Sequence, residues 1–164
     1  MVQIAWLQYD DQENLISEAN YIIKPDGYAI PSDAASIHGI TTEIALEKGT
    51  ELSSVLSEFS AVLGGANMLI AHNMDFDEKI VGAEYVRMGF KSGIFETHRL
   101  CTMKTTTDLC GIPGNYGFKW PTLSELHRFL FGSDFKDAHD ALVDVKVCAK
   151  CYYELVKRSI YKSK

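Results

Sequence analysis

The sequence predicts a single α/β domain, residues 1–164, in which a mixed sheet is flanked by helices. Two apolar segments separated by a polar turn begin the chain, and a short apolar run later leads straight into a helical pattern. Two further amphipathic segments follow towards the C-terminus. A hairpin followed by alternating strands and helices is typical of this class. With 46% hydrophobic residues, the chain can bury one sizeable core.

The chain is expected to begin with a β-hairpin. Residues 2–9 (VQIAWLQY) and 15–24 (LISEANYIIK) are mostly apolar strands, and the polar stretch 10–14 joins them. A helix should come next, because apolar residues recur three and four apart until Gly64 and Gly65 end the run. These apolar residues are Leu52, Val55, Leu56, Phe59, Val62 and Leu63.

A short strand over residues 67–71 leads into the polar stretch AHNMDFDEKI at 71–80. Its continuous apolar run is of the fully buried kind. Helical spacing resumes at once, so a cluster of polar side chains lies where a strand gives way to a helix, a common place for ligand sites in α/β folds. The residues at helical spacing are Phe76, Ile80, Ala83 and Val86.

Two helices are predicted near the C-terminus. Thr122-x-x-Glu125 is a capping box, and the final helix should run from about 140 to 157. Asp144 shares a helical stripe with Ala141 and Cys148, so it should project towards the core. A buried carboxylate without a partner is costly, which favours a metal or another cation beside Asp144.

Composition excludes several classes of protein. The net charge of −6 argues against a protein that coats nucleic acid, which would need many Lys and Arg side chains. No apolar run is long enough for a membrane span and no signal peptide begins the chain, so we expect a cytoplasmic protein. Cys148-x-x-Cys151 is half of a zinc pattern, but the alternative is that Cys148 packs as a small apolar residue in the last helix.

Two segments together resemble a known family. HNMDFD at 72–77 and HDALVD at 139–144 resemble the second and third motifs of the DEDD exonuclease superfamily, in its histidine-containing DEDDh branch. That branch includes the proofreading subunit of bacterial DNA polymerase III and ribonuclease T. The resemblance also covers IHGIT at 37–41 and FKWPTLSELHRFLFG at 118–132, and so nearly the whole chain.

The resemblance implies a ribonuclease H-like fold and a 3′–5′ exonuclease that acts on single-stranded DNA or RNA ends, with a DNA polymerase as a partner. In this family four carboxylates hold two Mg²⁺ or Mn²⁺ ions that clamp the phosphodiester. Asp77 and Asp144 match two of the metal ligands, and His139 matches the general base. Phe76 would be buried beside Asp77, while Asp75 and Glu78 would be solvated. The matching substrate-binding residues are His38, Gly39, Ile40 and Asn73, although His38 could equally be an ordinary loop histidine.

The family's first motif, Asp-x-Glu at the end of a central first strand, has no clear match. Asp11-Gln12-Glu13 has the right letters, but we expect it to lie in the hairpin turn and not to bind metal. The interpretation we favour is that this polypeptide lacks the first strand. That would leave two sheet edges open, invite pairing with a second copy of the chain, and impair catalysis. The alternative function is a non-catalytic module that binds nucleic acid or protein.

Overall fold

The computed structural model describes residues 1–91, 93–136 and 138–161, and this part of the chain contains three two-stranded sheets and eight helices. The strands are β1 (Gln3–Tyr9), β2 (Leu15–Ile22), β3 (Met68–Ala71), β4 (His98–Cys101), β5 (Pro113–Gly114) and β6 (Gly117–Phe118). The helices are α1 (Ser32–His38), α2 (Thr42–Lys48), α3 (Leu52–Gly64), α4 (Met74–Met88), α5 (Thr102–Thr105), α6 (Thr107–Cys110), α7 (Leu123–Phe131) and α8 (Ala141–Lys157).

The predicted hairpin is confirmed. β1 and β2 pair in antiparallel register, from Gln3 opposite Ile22 to Gln8 opposite Ser17. Alternate residues of β1 point to opposite faces, which buries Ile4 and Trp6 on the side of α3. The Trp6 ring lies 5.2 Å from that of Phe59 between centroids, so the hairpin is fixed to the predicted helix.

β3 and β4 form a parallel pair joined by α4, with Met68 opposite His98 and Ala71 opposite Cys101. The expectation that residues 67–71 form a fully buried strand is wrong, because all four residues of β3 are half-buried. β3 has β4 on one side and no strand partner on the other among the described residues. One covered edge in place of two explains the partial exposure.

The buried face of α4 differs from the one that its apolar residues predict. Phe76 is 61% exposed and Val86 is 77% exposed, so the expectation that Phe76 is buried is wrong. Gly82 instead faces inward and leaves room for the Phe95 ring, which a Cβ would meet at 2.5 Å. Tyr85 is buried beside it, and its hydroxyl donates to the Leu56 carbonyl oxygen of α3 at 3.1 Å. Contacts from distant segments therefore decide which side of this helix is covered.

The two C-terminal helices form a second core. In the capping box, the Thr122 hydroxyl accepts from the Glu125 N–H and the Glu125 carboxylate accepts from the Thr122 N–H, which confirms the predicted start of α7. The cluster joins α7 to α8 through Leu126, Leu130, Val147, Cys151 and Leu155. Cys148 is buried, as expected for apolar packing, and Cys151 is buried as well. In the described ranges, no helix could span a membrane.

The α/β class is confirmed, but the sheet is divided. The hairpin and the parallel pair are separate two-stranded sheets in the part of the chain described, and their remaining edges have no strand partner there. Leu69 of β3 still packs against the core beneath the hairpin, so side chains join the two halves.

Candidate active site

The chain turns sharply where β3 ends and α4 begins. Asn73 adopts a left-handed conformation, with φ 74° and ψ 50°, which asparagine tolerates better than most residues. Its side chain makes no capping bond to the helix. The turn directs the first residues of α4 away from the end of the strand and places Asp77 in the first helical turn.

His72 fastens this strand end to two other segments. Its Nε2 lies 2.9 Å from the carbonyl oxygen of Pro121, and its Nδ1 lies 3.0 Å from Oγ1 of Thr102. A carbonyl oxygen can only accept, so Nε2 carries the proton and Nδ1 accepts from the threonine hydroxyl. Burial lowers the pKa of His72. Both ring nitrogens are occupied, and His72 is a structural residue here.

Asp77 has the environment expected of a ligand group. Part of its side chain faces solvent, yet its carboxyl is crowded by protein atoms. This loss of hydration raises the pKa of Asp77 to about 6, and the charge of Asp144 adds to the rise. An acid with a raised pKa next to a second acid favours a bound cation, which would relieve the repulsion.

Asp144 lies in the first turn of α8, half-buried, beside His139. The backbone N–H of His139 donates to Oδ2 of Asp144 at 3.3 Å. Burial raises the pKa of Asp144, whereas this hydrogen bond and the charge of His139 oppose the rise. His139 itself is exposed, has φ 77°, and precedes the N-cap residue Asp140.

The start of α8 is fixed to the hairpin by one side chain. The amide of Gln3 donates to Oδ2 of Asp140 at 3.3 Å, while its oxygen accepts from the N–H of Ala141 at 3.2 Å. Gln3, the first residue of β1, therefore holds the start of α8, and the segment with His139 before it, against the hairpin.

The two other acids predicted to be solvated have ion-pair partners. The Asp75 carboxylate lies 2.6 Å from Nζ of Lys104, and this hydrogen bond lowers the pKa of Asp75. Glu78 forms an ion pair with Arg99 of β4. Asp75 and Asp77 are two residues apart in one helical turn, yet their pKa values shift in opposite directions. Asp75 already has its cation, and Asp77 faces another acid.

The segment predicted to bind substrate lies at the end of the hairpin where α8 begins. His38 ends α1, and its Nδ1 accepts from the Ile40 N–H at 3.2 Å. Gly39 is exposed with φ 74°, and Ile40 is 7% exposed in a small core to which Val2 adds. Val2 precedes Gln3, which touches Asp140, so the segment and the third motif share this end. The substrate-binding role of the segment stays a prediction.

Asp11 and Glu13 are exposed in the turn between β1 and β2. The charge of Glu13 acts on Tyr152 and Tyr153 in the second half of α8. These tyrosines follow Asp144 by eight and nine residues, which is about 12–14 Å along a helix at 1.5 Å per residue. This placement supports the expectation that the Asp-x-Glu of the turn is not part of the carboxylate site.

Sequence reasoning missed a group of side chains beside the site. Lys104 binds Asp75 and lies 6.0 Å from the ring centroid of Trp120. Trp120 is 58% exposed and Phe118 is 56% exposed. A signal was present, because GNYGFKWP carries aromatic residues at every second position.

Asp77 and Asp144 together suit one divalent cation. Carboxylate oxygens are the ligands that Mg²⁺ and Mn²⁺ prefer. Within residues 1–91, 93–136 and 138–161, no group of three or more His, Cys, Asp or Glu side chains could hold a metal ion. The assignment of Asp77 and Asp144 as metal ligands therefore stays a prediction.

The family model described as Exonuclease matches residues 1–152 of this chain. A search of curated proteins finds no match. Solved structures of E. coli Exonuclease I are similar in fold. The complex with a dA16 oligonucleotide has 18% sequence identity and a TM-score of 0.75 over 95% of this chain. The zinc-bound complex with single-stranded DNA has 21% identity and a TM-score of 0.79 over 97% of this chain.

A third structure of the same protein, the complex described as ExoI/SSB-Ct, has 19% identity and a TM-score of 0.77 over 97% of this chain. In these three structures the matched part is 36% to 37% of the other chain. The present chain thus corresponds to little more than a third of that protein, and the likeness concerns the fold.

Proposed function

The chain belongs to the exonuclease family, and on that premise we propose that it hydrolyses phosphodiester bonds at the 3′ ends of single-stranded DNA or RNA. The pairing of Asp77 with Asp144 is the observation that carries this proposal. Two acids from different helices lie close enough for the charge of one to raise the pKa of the other. Such repulsion is costly unless a cation is bound.

Asp77 and Asp144 would hold a Mg²⁺ or Mn²⁺ ion. When bound, the ion supplies positive charge that stabilises the charge developing on the phosphate oxygens. The two carboxylates would bind the ion from two directions, since Asp77 lies at the start of α4 and Asp144 at the start of α8.

His139 is the general base in this proposal. Its imidazole is exposed and its backbone is bonded to Asp144, so the ring can reach solvent beside the carboxylate pair. A histidine takes up a proton near neutral pH, which suits removal of a proton from the attacking water.

We further propose that this polypeptide is a slow enzyme. Two carboxylates neutralise fewer charges than the four that the resemblance implies for two ions. Loss of comparable preorganised charge stabilisation costs roughly 3 kcal/mol or more, a hundredfold or greater in rate. The same deficit favours the second candidate, a module that binds nucleic acid or protein without turnover. Its open sheet edges would suit a homodimer, and a polymerase partner is a further proposal from the resemblance.

The proposal is tested with 5′-labelled and 3′-labelled single-stranded DNA and RNA in Mn²⁺, beside Asp77→Asn, Asp144→Asn and the control Asp75→Asn. We expect slow release of single nucleotides from 3′ ends, lost in the first two variants and kept in the control. Hydrolysis that persists in both site variants would contradict the assignment of the carboxylates. Binding without hydrolysis at any enzyme concentration would support the binding module instead.

A longer version with an Asp-x-Glu strand ahead of residue 1 tests the slow-enzyme proposal. We expect that version to be at least about a hundredfold faster. Equal rates in the two versions, with the short chain inactivated by Asp11→Ala, would show that the turn acids complete the site.

A further inference from the structure

We propose that Tyr116, Phe118 and Trp120, here called the aromatic hairpin, bind the bases of a single strand as it leads to the carboxylate pair. This inference rests on the proposed function for its choice of strand and adds a binding surface to it. The surface lies outside the residues that resemble the metal and base positions of the family.

Phe118 and Trp120 lie on an extended segment, and Tyr116 lies in the turn that precedes it. β5 and β6 pair Pro113 with Phe118, and the N–H of Lys119 donates to the Ile112 carbonyl oxygen at 2.9 Å, which continues the ladder. Side chains two apart in an extended chain point to the same face. Phe118 and Trp120 therefore share a face, and Lys119 reaches the other way to Glu125 at 2.6 Å.

These rings are unusually open to solvent. Tyr116, at the tip, is fully exposed, and more than half of Phe118 and of Trp120 is exposed. Three neighbouring exposed aromatics are costly in water and typically mark a binding surface. The Phe118 ring lies over Gly111, whose Cβ would stand 4.0 Å from it, so the backbone beneath supports the exposed ring.

Contacts connect the aromatic hairpin to the candidate active site. Lys104 lies near the Trp120 ring and binds Asp75, two residues before Asp77 in the same helical turn. Pro121, directly after Trp120, accepts the hydrogen bond of His72 at the end of β3. The hairpin is thus fastened at two points to the strand end and helix start that position Asp77.

A single nucleic-acid strand fits this surface better than a duplex or a protein partner does. Unpaired bases stack on aromatic rings, whereas the bases of a duplex are already stacked on each other. Lys104 lies 6.0 Å from the centroid of the Trp120 ring and can meet a phosphate between the bases. With a net charge of −6 over the chain, binding must depend on stacking more than on general attraction to phosphate.

Tryptophan fluorescence offers a direct test. The chain has two tryptophans, and Trp6 is buried at 6% exposure whereas Trp120 is exposed. Trp6→Phe leaves Trp120 as the sole reporter, and Trp120→Phe leaves the buried one. Titration with a thymidine oligonucleotide in EDTA, without turnover, should quench the first variant and leave the second unchanged. Absence of quenching at oligonucleotide concentrations that saturate binding would overturn the inference.

Fluorescence anisotropy of a labelled oligonucleotide measures how much each ring contributes to the binding affinity. Each stacked base is worth about 5-fold to 150-fold in affinity, so Phe118→Ala and Trp120→Ala should each weaken binding by at least about 5-fold. Phe95→Ala is the matched control, because Phe95 is 51% exposed but lies on Gly82, five residues and about one and a half helical turns beyond Asp77. Melting curves show whether each variant is folded.

Oligonucleotides with a single abasic site near the 3′ end complete the test. An abasic site should weaken binding to the wild type but add little to the loss in Trp120→Ala, because both changes remove the same stack. Additive losses would overturn the inference. Hydrolysis in Mn²⁺ is measured separately with the same strands. Hydrolysis together with absent quenching would refute the aromatic hairpin and leave the proposed function standing, and the reverse would refute hydrolysis alone.

Discussion

Asp77→Asn should stabilise the metal-free protein at neutral pH. Burial of the carboxyl raises the pKa of Asp77 in the folded chain from its ordinary value of 3.8 to about 6. Between these values the folded state binds more protons than the unfolded state, so stability falls as pH rises through this window. Above pH 6 the ionised carboxylate costs the fold its full penalty. An amide cannot ionise, so the substitution removes this penalty.

The magnitude follows from the two pKa values. A difference of about 2 units at 1.36 kcal/mol each sets an upper limit of roughly 3 kcal/mol. Asp77 is exposed in part, and solvent screening should reduce that to about 1 to 1.5 kcal/mol. Loss of a negative charge at a helix N-terminus should lower the free energy of unfolding by about 0.5 kcal/mol. The expected net gain is about 0.5 to 1 kcal/mol, or roughly 1 to 4 °C in melting temperature.

Urea unfolding at pH 4 and pH 7.5, in EDTA, measures the effect. The variant should be more stable than the wild type at pH 7.5 and equal to it or less stable at pH 4. Asp75→Asn is the matched control, since it removes a charge from the same helical turn but also breaks the ion pair with Lys104. The control should be no more stable than the wild type at pH 7.5.

The effect of Mn²⁺ on the free energy of unfolding should also differ between the variants. A cation that binds the folded state alone raises its stability by an amount set by its concentration over its dissociation constant. Mn²⁺ should therefore stabilise the wild type and Asp75→Asn but not Asp77→Asn. Asp77→Asn less stable than Asp75→Asn at pH 7.5 in EDTA would refute the argument that the ionised Asp77 carboxylate, having lost hydration and lying near Asp144, destabilises the folded protein.

Three further outcomes are expected. His139→Ala should reduce turnover about a hundredfold or more while Mn²⁺ affinity by calorimetry changes little, and lost Mn²⁺ binding would make His139 a ligand. Asp11→Ala should leave both Mn²⁺ affinity and hydrolysis unchanged, because Asp11 lies in the exposed turn; a loss of either would make it part of the site. Thr122→Ala should lower the free energy of unfolding by about 1 kcal/mol in urea titrations, and an unchanged midpoint would show that the capping box contributes nothing.

Features set by neighbours in the sequence were predictable. The hairpin follows from two apolar segments around a polar turn, and the start of α7 follows from Thr122 and Glu125 three residues apart. The placement of Asp77 and Asp144 at helix starts was also accessible, because each follows a local change in pattern. Local signals of this kind do not depend on what the segment packs against.

Features set by distant contacts were not predictable. Which face of α4 is buried depends on Phe95 over Gly82 and on Tyr85 against α3, and periodicity alone points to the opposite face. The partners of Asp75 and Glu78 come from β4 and the helix after it, far along the chain. The aromatic hairpin was missed because its strands have only two residues each, so the alternate spacing of its aromatic residues was the one local signal.

The divided sheet has a consequence for how the chain reaches its final form. β1 and β2 need only a short turn to close, while β3 and β4 are joined through α4, with His98 thirty residues after its partner Met68. Closing the longer segment costs more chain entropy, so the hairpin should form first. Asp77 belongs to the later unit, whereas Gln3 fastens the start of α8, and with it Asp144, to the earlier one. The carboxylate pair thus lies at the interface between two folding units, and it is assembled when these units dock.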